Sequence, residues 1–293
     1  MTSLIVKKNW KALALICLCS LGKAATPAFI AVGENGTILS SDDGRNWINS
    51  EPTTDRRLRS VASKGGVLVI VGESGTILRS TDGYNWSPVV SGVSVSLRGV
   101  CTTSSGFLAV GGRENGVMIS SPNGLVWTNV PIPNTAPLRS VAANNESIVA
   151  VGDGGTLLFK AVNEGDDDHN DNYSRKTSAS DWAVTRFSSR DRLEYVLWTG
   201  THYWVFNSSG KLYSSSSLRE WQSDKITPIP SIEGIAWSRD ILVAIGLSGR
   251  IQTTTDGRRW ITAPPVTDQG LHGVVWTGDP KRARALPELA KRD

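Results

Sequence analysis

The chain has 293 residues, with 31 Lys and Arg against 27 Asp and Glu and a formal net charge of +4. Lys7, Lys8, Lys11 and Lys23 all fall in the first 25 residues, so the remainder is balanced and offers no argument for a nucleic-acid surface. Of three cysteines only Cys101 lies beyond that segment, which excludes a disulfide framework and a cysteine metal cluster; it is expected to fill core space beside Val100.

From Met1 to Ala25 the basic residues precede an apolar run, Ala12 to Leu21, and the small residues Gly22, Ala24 and Ala25 follow it. This order predicts a signal peptide at 1–25, cut after Ala24, with an uncleaved anchor as the alternative. The apolar run is shorter than the roughly 20 residues that span a bilayer. The expected location is periplasmic or secreted.

From residue 26 a repeat takes over. Six tryptophans, Trp47, Trp86, Trp127, Trp182, Trp221 and Trp260, follow six glycines, Gly36, Gly75, Gly116, Gly155, Gly210 and Gly249, by 11 positions in every unit except the fourth. Each tryptophan is followed 11 positions later by Leu58, Leu97, Leu138, Leu193, Ile232 or Leu271, which opens a short apolar run. A period of about 40 residues built from short β segments means a propeller or a solenoid. The first unit lacks an opening strand, and Leu271 to Trp276 is an opening strand with no unit behind it. If the last strand completes the first blade, the ring closes without exposed edges. The expected fold is therefore all-β, a six-bladed β-propeller of four-stranded blades over 26–278. In the second blade the strands are predicted at Leu58 to Ala62, Val67 to Val71 and Thr76 to Arg79, with Trp86 opening the outermost.

Before the tryptophans stand Ser41-x-Asp43-Gly44, Ser80-x-Asp82-Gly83, Ser121-x-Asn123-Gly124 and Thr254-x-Asp256-Gly257. These turns resemble the Asp-box (BNR) repeats of sialidase-like propellers, and within that class the short form of the photosystem assembly and stability factor family. A structural role accounts for them: the acid accepts amide hydrogens of its own turn and the glycine takes a left-handed conformation. The fifth turn, Ser215 to Trp221, lacks Asp-Gly and is expected to be less well pinned. The sialidase active site, an arginine triad with a tyrosine and a nearby acid, is not recognisable.

The second position of the six inner strands is Arg59, Arg98 and Arg139, then Glu194, Glu233 and His272. Inner strands line the central channel, so these six are the candidate binding residues, at the face made by the loops that join blades. Guanidiniums there can grip a carboxylate or a peptide backbone through forked hydrogen bonds. Matched arginines and glutamates pairing across the channel to hold the ring is the competing reading. The resemblance implies an arginine-rich patch that holds a segment of a newly made membrane protein, carried here only to Arg59, Arg98 and Arg139; that family is seven-bladed where this chain has six units.

Trp198, Trp237 and Trp276 end the last three inner strands, as core packing or as an aromatic groove for sugar or peptide. The insertion at about 162–181 is dense in Asp and Asn but lacks the spacing of a calcium loop, and is expected to be a solvated loop. His169, His202 and His272 do not suggest a zinc site. A basic tail occupies 279–293, with Lys281, Arg282 and Arg284 as a possible peripheral contact to an anionic membrane surface.

The expectation is a monomeric, non-enzymatic exported scaffold or assembly-factor-like propeller that binds a protein client, with no metal, no cofactor and no nucleic-acid partner. The alternative is a carbohydrate-binding or glycoside-hydrolase-like propeller with a glycan as ligand.

Overall fold

The computed structural model describes residues 26–162, 181–187, 190–209, 211–224, 232–238, 240–256 and 259–278. The expected signal segment at 1–25, nearly all of the acidic insertion and the basic tail at 279–293 lie outside them. The described residues form six four-stranded antiparallel sheets, numbered here as blades 1 to 6 in chain order.

Blade 1 is made from both ends of the ring. Its inner strand, Leu271–Trp276, pairs with Phe29–Gly33, which continues to Ile38–Ser41 and Ile48–Asn49. The pairing runs from Phe29 opposite Trp276 to Gly33 opposite Leu271 and is extended by the Thr277 amide donating to the Ala28 carbonyl at 2.9 Å. The last strand therefore completes the first blade, as the two half-units in the sequence require. The inner strands of blades 2 to 6 are Leu58–Lys64, Leu97–Thr103, Leu138–Ala143, Leu193–Trp198 and Ile232–Trp237.

Second strands such as Phe29–Gly33 and Gly106–Gly112 are buried at every position. A blade between two neighbours buries both faces, so its middle strands read as unbroken apolar runs instead of alternating ones. Outermost strands are two to four residues long and largely exposed, short edges that give little template for pairing with another chain.

Between the second and third strands the chain reverses in a 3-10 turn, Glu34–Gly36, Glu73–Gly75 and Asp153–Gly155 in blades 1, 2 and 4. Gly75 has φ +71°, and a Cβ there would lie 1.9 Å from the Val93 carbonyl oxygen, so no other residue fits.

The Asp-box turns are built alike. Asp43 Oδ1 accepts the amides of Arg45 and Asn46, Ser41 Oγ accepts the amide of Gly44, and Trp47 Nε1 donates to the Gly44 carbonyl. Asp82 Oδ1 likewise accepts the amides of Tyr84 and Asn85 and Ser80 Oγ that of Gly83, but Trp86 Nε1 has no hydrogen-bond partner among the described residues. Trp47, Trp86, Trp127 and Trp182 are buried. In the fifth turn Leu218 takes the left-handed conformation at φ +62°, and Trp221 is only half-buried. The turn keeps the cap from Ser215 Oγ to the Leu218 amide but lacks the carboxylate.

Five apolar clusters fill the junctions between blades 1 and 2, 2 and 3, 3 and 4, 4 and 5, and 6 and 1. Among the described residues no such cluster joins blades 5 and 6. Cys101 packs beside the cluster between blades 3 and 4, and burial pushes its thiol up to about 12, so it is an inert space-filling residue.

Candidate functional site

Every inner strand is bulged where it begins. Pairing with the second strand skips from Leu58 to Ser60, Leu97 to Gly99, Leu138 to Ser140, Leu193 to Tyr195 and Ile232 to Gly234, and in blade 1 from Leu271 to Gly273. The skipped residues are Arg59, Arg98, Arg139, Glu194, Glu233 and His272. A bulged residue leaves the ladder and its side chain is re-aimed. All six line one cavity of about 670 Å³ at the ring centre. The residues that follow are small in five blades because neighbouring inner strands touch there: a Cβ on Gly273 would lie 2.8 Å from Ser60 Cα, and one on Gly99 2.9 Å from Ser140 Cα.

The charges do not pair across the channel. Arg59 donates to Glu73 of its own blade at 2.9 Å. Arg139 bridges Asp153 of its own blade and Glu194 of the next, the latter at 3.2 Å, and Glu194 is also held by Arg192. His272 stands 3.7 Å from both Glu233 and Glu34. Contact with the His272 ring holds the Glu233 carboxyl below the usual carboxylate range, against partial desolvation at the rim, and so favours its ionised form.

Arg98 differs from its neighbours. Among the described residues it has no carboxylate within ion-pair distance; its buried Nε has no hydrogen-bond partner either, a trait it shares with Arg59 Nε. Burial lowers its pKa, with the repulsion of Arg139 and Arg59 added and the more distant attraction of Asp153 and Glu194 opposing them, yet a guanidinium stays charged. The cause is local. The residue after the glycine that ends the second strand is Glu34, Glu73 and Asp153 in blades 1, 2 and 4, and these acids serve His272, Arg59 and Arg139. In blade 3 the glycine that pairs with the opening Leu97, as Gly72 pairs with Leu58, is Gly111, and Gly112 follows it where the other blades have an acid, so Arg98 lacks that counter-ion. Sequence reasoning found the six bulge residues and missed their partners Glu34, Glu73, Asp153 and Arg192, and Arg57, which pairs with Glu34 and Glu73, although the recurrence of the three acids after Gly33, Gly72 and Gly152 was visible.

Trp198 packs against Tyr203 with ring centroids 4.7 Å apart, and Trp276 against the cluster of blades 6 and 1. Both serve the core; Trp237 is half-buried and belongs to no cluster. Among the described residues no group of three His, Cys, Asp or Glu is placed to hold a metal ion.

No family model and no curated protein matches the sequence. Solved structures do. A structure described as YCF48 bound to D1 peptide aligns with a TM-score of 0.51 and 18% identity over 86% of this chain and 92% of that one. YCF48 from Cyanidioschyzon merolae aligns with a TM-score of 0.49 and 18% identity over 82% of each chain. A chain of a nidogen/laminin complex reaches a TM-score of 0.60 at 7% identity over 84% of this chain and 97% of that one. The likeness is one of fold. This chain is a six-bladed propeller that resembles the YCF48-like propellers in structure.

Proposed function

We propose that this protein is an exported, non-enzymatic propeller that binds a protein client at the channel mouth, receiving a carboxylate of that client on Arg98. The observation that carries this reading is the unpaired, half-buried guanidinium of Arg98 above a cavity of about 670 Å³. A half-buried cation with no carboxylate in contact is costly to hold, and an incoming carboxylate recovers that cost through two parallel hydrogen bonds. Arg59 and Arg139 flank it, each held in position by its own acid. The fold suits the role, since the similar YCF48 propeller was solved with a peptide bound. The order of residues at 1–25 supports export.

The test is capture of partners from the envelope fraction by the wild-type domain and by Arg98→Gln, after both are shown to fold. Loss of one specific protein with the variant supports the reading and names the client. An unchanged partner set overturns the site, and recovery of a glycan in place of a protein overturns the class.

A further inference from the structure

The ring has one junction unlike the others. Inner strands of neighbouring blades lie side by side everywhere except between blades 5 and 6, where Leu193–Trp198 and Ile232–Trp237 stand apart. The position that is Ser60, Gly99, Ser140, Gly234 or Gly273 elsewhere is Tyr195 in blade 5. Those small residues let inner strands approach, and hydroxyls add a tie: Val196 donates its amide to Ser140 Oγ at 3.1 Å, and Val100 to Ser60 Oγ at 3.3 Å. A phenol ring in that position acts as a wedge. Among the described residues no apolar cluster fills the space behind it, and Trp260, the box tryptophan of blade 6, is only half-buried.

The walls of this junction are apolar and partly uncovered. Tyr195 and Phe206 of blade 5 and Ile232 and Ile235 of blade 6 are each half-buried and line the central cavity. The Tyr195 hydroxyl has no hydrogen-bond partner among the described residues. In ring order the junction of blades 5 and 6 lies opposite that of blades 2 and 3, whose rim residues are Arg59 and Arg98. Among the described residues, one side of the cavity thus offers a cation without an ion-pair partner, and the other an apolar slot.

From this juxtaposition we infer that the junction of blades 5 and 6 is a side-chain pocket: it takes a bulky apolar residue of a client segment whose carboxylate sits on Arg98. The inference rests on the client reading above and adds its selectivity. The occupant is a peptide because the two features lie on opposite sides of one channel and demand a ligand with separated charged and apolar parts. Tyr195 sets the width of the slot, and its hydroxyl is free to bond the backbone of the bound segment.

The probes are fluorescein-labelled peptides of about ten Ala and Ser residues with a free C-terminal carboxylate, carrying one Phe at each position in turn. Binding by fluorescence anisotropy is compared for the full chain and for Arg98→Gln, Tyr195→Gly, Tyr195→Phe and Phe206→Ser, each checked for a cooperative thermal transition. Wild type should bind one Phe position about tenfold or more tightly than the Phe-free peptide. Tyr195→Gly, which restores the residue of three other blades, and Phe206→Ser should both erase that preference and leave the Phe-free affinity in place. Tyr195→Phe should keep it, and Arg98→Gln should weaken all peptides alike. Peptides that depend on Arg98 but show no Phe preference, or a preference that survives both wall substitutions, overturn the pocket and leave the client reading standing. Peptides that do not bind wild type at all count against the client reading itself. Displacement of bound peptide by laurate with equal loss in all variants also overturns the pocket.

Discussion

Arg139 reaches from blade 4 to Glu194 of blade 5, 3.2 Å away, and so ties two neighbouring bulges together around the channel mouth. The pair is partly shielded, and Asp153 and Arg192 complete a chain of alternating charges. A double-mutant cycle with Arg139→Gln and Glu194→Gln, followed by urea denaturation, should give a coupling of about 1 kcal/mol. A coupling near zero would mean that the network does not bind the blades.

Box carboxylates make stability depend on acid. Partial burial acts against the charge of Asp43, but the amides of Asn46 and Arg45 outweigh it and lower the pKa from 3.8 to about 2; Asp82 is lowered in the same way by Asn85 and Tyr84. A carboxyl depressed on folding contributes stability above its unfolded pKa, and that contribution is lost as pH falls through the folded value. Stability should therefore be level above about pH 5 and decline between about pH 4 and pH 2. Because Asp43 is exposed and Asp82 only half-buried, each share is on the order of 1 kcal/mol after solvent screening. Asp43→Asn with Asp82→Asn should flatten the decline, read as Tm against pH.

The box tryptophans should not be equivalent. Trp47 is buried in the cluster between blades 6 and 1, whereas Trp260 is half-buried at the open junction. Trp47→Ala should cost about 3–5 kcal/mol and Trp260→Ala less than half as much, measured by chemical denaturation. Equal losses would show that the junction of blades 5 and 6 is filled in solution.

Most of the fold was legible because spacing carries it. The constant interval from glycine to tryptophan and the two complementary half-units fix blade count and closure before any packing is known. The site was legible in part. The six rim residues share one position of the repeat, but their bulges have no local signature, since a skipped residue is defined by its partner strand. Their ion pairs run mostly within a blade, to acids 14 positions later at Glu73 and Asp153, and not across the ring as charge matching suggests. Tyr195 is the one large residue in a column of Gly and Ser, and the sequence reading passed over it because its effect depends on how closely two inner strands approach.

Closing the ring should be essential. Truncation before Leu271 removes the inner strand of blade 1 and the Leu271 and Val274 side chains from a core cluster, and leaves Phe29–Gly33 without its partner. The shortened chain should lose its cooperative transition and aggregate, as seen by light scattering on heating. A monomeric, cooperatively melting product would contradict the closure.

The measurement that bears most directly on the account is the affinity of the captured client segment for wild type, Arg98→Gln, Arg98→Lys and the exposed control Arg113→Gln. Loss of the unpaired guanidinium should weaken binding by about 30-fold or more, with partial recovery in Arg98→Lys and no change in Arg113→Gln. Equal affinities for wild type and Arg98→Gln would contradict the claim that Arg98 receives the client.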